Sequence, residues 1–78
     1  MKDALTYIIT NLVNDPQSVA IAEESTPEGI IFTVTVAKED MGKVIGKEGK
    51  VIRSIRNVMK IIAIKQNKRI NIQLAETA

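Results

Sequence analysis

The amino-acid sequence predicts an α+β fold in which the elements follow the order α–β–β–α–α–β. Three observations predict this order. Apolar residues recur at helical spacing near residue 10 and again after residue 50, three segments alternate between apolar and polar residues, and turn-forming residues separate these segments. A strand that returns to the same sheet after a helical crossover should run parallel to the strand before it. We therefore expect a three-stranded mixed sheet with one face covered by three helices.

The first half of the chain predicts a helix followed by a β-hairpin. Residues 4–13 place apolar side chains at the i, i+3, i+4 and i+7 positions of an amphipathic helix, which the sequence Asn-Asp-Pro at 14–16 would end. Residues 18–24 alternate as a strand, and residues 26–29 supply turn chemistry. The second arm, residues 30–36, is rich in β-branched residues. Its inward-facing side chains would be those of Ile30, Phe32, Val34 and Val36.

The second half predicts two helices and a closing strand. Residues 39–45 would form a short helix, and the carboxylates of Glu39 and Asp40 suit its N-terminus. A longer helix follows Gly49, and residues 69–74 alternate as a strand that places Ile70, Ile72 and Leu74 inward. The apolar face of the long helix would comprise Val51, Ile52, Ile55, Val58, Met59 and Ile62.

The composition limits the functions that are open to the chain. Its 78 residues predict one domain, spanning residues 1–78, with a small core. Cysteine and histidine are both absent, which removes thiolate and imidazole groups as nucleophiles, general bases or metal ligands. We therefore expect no enzymatic activity, no cofactor and no metal site. The apolar runs are far shorter than a membrane helix, and the first residues do not resemble a signal peptide, so we expect a cytoplasmic protein.

Charge is segregated along the sequence. Residues 1–40 hold two Lys or Arg against seven Asp or Glu, whereas residues 41–78 hold nine Lys or Arg against two Glu. The net charge of +2 therefore combines an acidic half of −5 with a basic half of +7. A basic surface of this kind favours a polyanion as the partner.

Two glycines lie three positions apart, between the two predicted helices of the basic half. Gly46 would end the first helix in a left-handed conformation, and Gly49 would let the backbone approach a ligand closely. The next helix would then present free amide groups to an anion, with Lys43, Lys47 and Lys50 around them. The spacing does not match a nucleotide-binding P-loop or a dinucleotide fingerprint. We therefore expect a site for a sugar-phosphate backbone, and a plain helix–helix turn is the alternative.

Residues 44–52, which read VIGKEGKVI, resemble the K-homology (KH) signature I-G-x-x-G-x-x-I. The element order is similar to that of the type II, prokaryotic KH fold, in which a helix and a strand precede the β–α–α–β core. The length, and the Met-Gly-Lys sequence that precedes the signature, are most similar to the small stand-alone bacterial KhpA family. The resemblance covers essentially the whole chain.

The resemblance implies a groove in which about four nucleotides of single-stranded nucleic acid lie, with their phosphates against the G-x-x-G loop. By position, the loop would comprise Gly46, Lys47, Glu48 and Gly49. Val44 and Ile45 would help to form the floor of the groove, and Lys43, Lys50 and Arg53 would face phosphates. Glu48 departs from loops whose central residues are basic or neutral, so its charge should weaken binding somewhat.

The same resemblance implies single-stranded RNA as the partner, in a role as RNA chaperone or post-transcriptional regulator. It implies a homodimer, or a heterodimer with a larger KH protein of the KhpB (Jag or EloR) type. In bacteria such a pair is linked to cell-wall biogenesis, cell-envelope growth and cell shape. Residue patterns alone do not distinguish RNA from single-stranded DNA.

Several residues keep two interpretations. Arg56 and Lys60 fit a solvated helix face as well as a ligand contact, and Lys65, Lys68 and Arg69 are weaker candidates still. Residues 61–64 place isoleucines right round a helix, so part of that surface would meet another subunit. A second hypothesis is therefore an interaction module that dimerises and leaves RNA largely to its partner. With two aromatic residues in the chain, a base-stacking platform is not expected.

Overall fold

A computed structural model describes residues 1–76. The helices are α1 (Lys2–Leu12), α2 (Met41–Ile45) and α3 (Lys50–Lys65). The strands are β1 (Ala20–Thr26), β2 (Gly29–Val36) and β3 (Ile70–Glu76). Three short 3₁₀ turns occupy Pro16–Ser18, Lys38–Asp40 and Lys47–Gly49. The predicted element order and fold class are confirmed.

One three-stranded sheet has β2 at its centre. Strand β1 pairs with β2 in the antiparallel sense, and β3 pairs with β2 in the parallel sense, so the sheet is mixed as expected. Strand β1 begins two residues later than predicted because Pro16 starts a 3₁₀ turn, in which the Ser18 hydroxyl donates to the Asp15 carboxylate at 2.6 Å. Because β2 lies between them, both β1 and β3 are edge strands.

The core lies between the sheet and the helices. Phe32, Val34 and Val36 alternate along β2 and are fully buried, whereas Thr33 and Thr35 point to the opposite face of the sheet. Helix α1 contributes Leu5 and Ile9 to this core. The cluster is completed by Val44, Ile52, Ile55, Met59 and Ile72.

Helix α3 buries a narrower face than its apolar pattern predicts. Ile52, Ile55, Met59 and Ala63 are its buried residues and form one line along the helix. Val58, expected in the core, is 46% exposed because it lies one position before Met59 and is rotated about 100° away from that line. The prediction for Val58 is therefore wrong. Along residues 1–76, no helix has both the length and the hydropathy that a bilayer crossing requires.

Asp40 has a different role from the predicted helix cap. Its side chain makes no capping hydrogen bond to α2 and is 98% buried. Instead, its two carboxylate oxygens accept the backbone N–H groups of Asn14 and Asp15 at 3.1 and 3.0 Å. Asp40 therefore ties the segment after α1 to the start of α2.

Candidate nucleic-acid interface

Helix α2 ends at Ile45, and the Gly46 that follows it packs directly against the next helix. Its N–H donates to the Gly42 carbonyl at 2.8 Å, and its φ of 76° is the positive value expected. Its ψ of 173° is extended, however, so the conformation is not the left-handed helical one predicted. A Cβ at this position would overlap the Val51 side chain and lie 2.8 Å from the Val51 nitrogen. Glycine is therefore required here by both backbone conformation and packing.

The next residues form a tight 3₁₀ turn. Glu48 (φ 57°, ψ 24°) and Gly49 (φ 74°, ψ 16°) are both left-handed, which is uncommon for glutamate. The amides of Gly49 and Lys50 donate to the carbonyls of Gly46 and Lys47 inside the turn. These two amides are therefore bonded inside the turn and are not among the free donors that the sequence predicts for an anion. No side chain caps the first turn of α3.

The outer part of the turn is open to solvent. We call residues 47–50 the turn tip. Lys47, Glu48 and Lys50 are exposed, and a Cβ added at Gly49 would meet no atom within 4 Å. Lys43, on the exposed side of α2, adds a further cation. The tip is thus an accessible surface on which cations outnumber the one carboxylate.

Two predicted site residues have structural contacts that the sequence does not reveal. The exposed Arg53 donates from Nη2 to the Glu48 carbonyl at 3.3 Å, so its guanidinium folds back toward the left-handed peptide of the tip. Val44 has no exposed surface and belongs to the hydrophobic core. Its side chain therefore cannot form the floor of a groove as expected, whereas the half-buried Ile45 retains accessible surface.

A cavity of about 430 Å³ lies between α3 and the free edge of β3. Its helical side is formed by α3, the helix that follows the turn tip, and begins at Arg56, one turn beyond Arg53. Four cationic and several apolar side chains surround it: Arg56, Lys60, Ala63, Ile64, Lys68, Arg69, Ile70, Asn71 and Ile72. No aspartate or glutamate is among these lining residues. The structure thus brings together four basic residues whose role the sequence left open.

Sequence reasoning did not identify the contribution of β3 to this cavity. The sequence predicts Ile70 and Ile72 only as core residues and gives Asn71 no role. The available signal was the position of β3: a closing strand parallel to β2 lies at the sheet edge, beside the helix that crosses over to it. The Arg56 guanidinium links α3 to β3, since its Nη2 donates to the Ile72 carbonyl at 3.2 Å.

These features define a KH protein of type II: a mixed sheet covered by three helices, with a G-x-x-G turn between the last two. A family model described as "KhpA/KhpB, KH domain" matches residues 2–74, and the chain belongs to this family.

Curated relatives extend the match over nearly the whole chain. A protein of Chlamydia caviae named RNA-binding protein KhpA is 45% identical over 76 residues, covering 97% of each chain. The protein of that name in Clostridium acetobutylicum is 43% identical over 95% of this chain and 99% of its own. That of Listeria monocytogenes is 34% identical over 97% of this chain and 100% of its own.

Proposed function

We propose that this chain is a non-enzymatic RNA-binding protein, a single KH domain that holds single-stranded RNA against the turn between α2 and α3. The observation that carries the proposal is the geometry of the turn tip. At the half-buried Gly49 the space that a Cβ would fill is open, and the exposed Lys43, Lys47 and Lys50 lie close to it in the sequence. The names of the curated relatives support RNA as the polyanion.

Phosphate contact is the interaction that this surface suits best. Lysines are compact charges that attract a phosphodiester from several directions, and an exposed backbone allows the strand to approach closely. Glu48 opposes this attraction, because its exposed carboxylate lies in the same turn. We therefore expect weak, salt-dependent binding by one such surface, with Kd in the range of about 10⁻⁴ to 10⁻⁶ M for nonspecific phosphate contacts.

The test is a salt titration of binding to short single-stranded RNA and DNA, for the wild type and the double variant Lys47→Asp/Glu48→Asp. The fold should survive, since Lys47 is exposed and aspartate adopts left-handed φ more readily than glutamate. We expect the double variant to lose at least about tenfold in affinity at low salt and to show a shallower salt slope.

The matched control is Lys65→Asp, which makes the same change in net charge at an exposed position at the other end of α3. It should weaken binding much less than the double variant does. Equal affinity of wild type and double variant at every salt concentration would contradict the proposed contact. RNA and DNA of one sequence should differ only if a 2′-hydroxyl is contacted.

We further propose that the protein acts as a dimer, either with itself or with a larger KH protein of the KhpB (Jag or EloR) type. Val58 and Ile61 are 46% and 57% exposed and lie one helical turn apart on α3. We call this pair the apolar ridge. A second groove held by a partner would raise a weak affinity by increasing the effective concentration.

The apolar ridge also favours the second candidate function, an interaction module whose partner holds most of the RNA. Ile61→Glu should abolish dimerisation, which light scattering measures. The protein should remain folded, because the Ile61 side chain is already exposed. Gln73→Glu, on the exposed outer face of β3, is the matched control. If RNA association survives the double aspartate change but is lost in Ile61→Glu, the interaction module is favoured over direct binding.

We propose a cytoplasmic role as an RNA chaperone or post-transcriptional regulator, connected with cell-wall biogenesis and cell shape. The support is the membership of the KhpA/KhpB family. Crosslinking the protein to transcripts in cells, followed by sequencing, would test this role. Enrichment of cell-envelope transcripts that depends on Lys47 is the expected result.

A further inference from the structure

In the cavity between α3 and β3, basic side chains add hydrogen-bond donors to a sheet edge that presents both donors and acceptors. In the β2–β3 pair, the Ile30 N–H donates to the Arg69 carbonyl at 2.8 Å, so the polar groups of Arg69 face β2. The backbone N–H and C=O groups of successive residues in a strand point to opposite edges. The backbone groups of Ile70 and Ile72 therefore point to the free edge of β3. This edge lines the cavity.

Arg56 forms a hydrogen bond with that edge. Its Nη2 donates to the Ile72 carbonyl, which could otherwise accept a hydrogen bond from a ligand. A guanidinium carries five N–H donors in a fixed plane, so one bond to the strand orients the fork and leaves further donors at the cavity wall. Lys60, Lys68 and Arg69 add only donors. The anchored arginine thus replaces an acceptor by a planar pair of donors.

From this arrangement we infer that Arg56 is a specificity-determining residue, which selects a guanine base of the bound strand in the α3–β3 cavity. Guanine presents two adjacent acceptors, O6 and N7, which match a guanidinium fork, whereas adenine presents a donor, its N6 amino group, beside N7. Arg56 is bonded to the Ile72 carbonyl, whereas the Ile70 carbonyl of the same edge is still an acceptor, so the preference depends on the paired bonds from the guanidinium to O6 and N7. The inference rests on the proposed function, because the base belongs to the strand held at the turn tip.

The size and position of the cavity fit one base of that strand. A volume of about 430 Å³ lies in the range of small-molecule pockets, and Ala63, Ile64, Ile70 and Ile72 provide apolar surface for a ring. Arg56 lies seven residues after Gly49 on a helix that rises about 1.5 Å per residue, so the two are about 10 Å apart along the axis. A strand with its phosphates on the tip reaches this distance within a few nucleotides.

The experiment uses octamers of uridine that differ at one central position, carrying guanosine, inosine or adenosine. Inosine keeps O6 and N7 but lacks the N2 amino group, so it isolates the edge that Arg56 would read. We expect the wild type to bind the guanosine and inosine octamers equally, and about fivefold or more tightly than the adenosine octamer. These wild-type ratios need no variant.

Arg56→Lys keeps the charge but cannot form the planar pair of bonds, so the preference should disappear while the salt slope is unchanged. Arg53→Lys is the matched control, because Arg53 also donates Nη2 to a backbone carbonyl but lies outside the cavity lining. It should weaken all three octamers alike and preserve their ratios.

Equal wild-type binding of the three octamers, still weakened by Lys47→Asp/Glu48→Asp, would overturn the role of Arg56 and leave the proposed function in place. A preference that persists in Arg56→Lys would also overturn it. Binding that is unaffected by the double aspartate variant would instead contradict the proposed function itself.

Discussion

The segment that leads into the G-x-x-G turn and the outer part of the turn differ in burial although they are neighbours in the sequence. On the inner side, the Asp40 carboxylate accepts hydrogen bonds from two backbone amides, Val44 packs in the core, and Gly46 lies against Val51. We call Asp40, Val44 and Gly46 the anchor. On the outer side, the turn tip contacts little of the protein, and a Cβ at Gly49 would meet only open space. The two glycines of the signature are thus required for different reasons. The anchor fixes the position of the turn, and the tip is left available for a ligand.

The largest expected effect is on the anchor. Gly46→Ala places a Cβ into Val51 and imposes a conformation that side chains rarely adopt, which should lower the free energy of unfolding by about 3 kcal/mol or more. Gly42→Ala is the matched control, since its Cβ meets nothing within 4 Å and alanine favours the helix by about 0.5–1 kcal/mol. Urea unfolding of both variants measures the difference. Equal stabilities would remove the distinction between anchor and tip.

Asp40→Ala should lower the free energy of unfolding by about 2 kcal/mol, because it leaves the amides of Asn14 and Asp15 without their charged acceptor and removes a buried side chain. The neighbouring Glu39 is exposed, and Glu39→Ala should change stability by less than about 0.5 kcal/mol. Hydrogen exchange at the Asn14 and Asp15 amides should also accelerate in Asp40→Ala. Unchanged exchange there would show that the carboxylate does not hold this segment.

Gly49→Ala should cost only about 1–2 kcal/mol of stability, because the left-handed backbone is strained but no atom obstructs the methyl group. Under the proposed function, its effect on RNA affinity should exceed what partial unfolding explains, because the methyl group would lie where the strand approaches. Affinity measured well below the unfolding transition separates the two effects. Full affinity in a destabilised variant would mean that the strand does not approach Gly49.

The smallest expected effect comes from Glu48→Gln, which keeps the shape of the side chain and removes its charge. The exposed carboxylate is screened by solvent, so RNA affinity should rise only about two- to fivefold at low salt and less at high salt. Fluorescence anisotropy at two salt concentrations measures this change. Weaker binding by the variant would show that the carboxylate contacts the RNA favourably or supports the tip.

Periodicity and turn chemistry were sufficient to predict the fold. The alternation of residues 30–36 predicted the burial of Phe32, Val34 and Val36, and the helical crossover predicted the parallel β2–β3 pair. The G-x-x-G spacing also located the turn between α2 and α3 correctly. These features depend on local sequence, which is why local patterns reveal them.

Long-range contacts could not be predicted in the same way. Asp40 bonds to amides 25 and 26 residues earlier in the chain, and no local pattern indicates that partner. The burial of Val44 and the exposure of Val58 depend on how each helix is rotated against the sheet, which apolar spacing does not determine to within one residue. The α3–β3 cavity likewise requires the relative positions of two elements.

Contact between RNA and the turn tip is tested most directly by following the backbone amide NMR signals of the protein during titration with a single-stranded RNA octamer. We expect the largest shifts at residues 46–50 and along the α3–β3 cavity, with little change at Thr33, Thr35 and Gln73 on the outer face of the sheet. Shifts confined to that outer face, with the signals of the turn tip unchanged, would contradict the proposed interface.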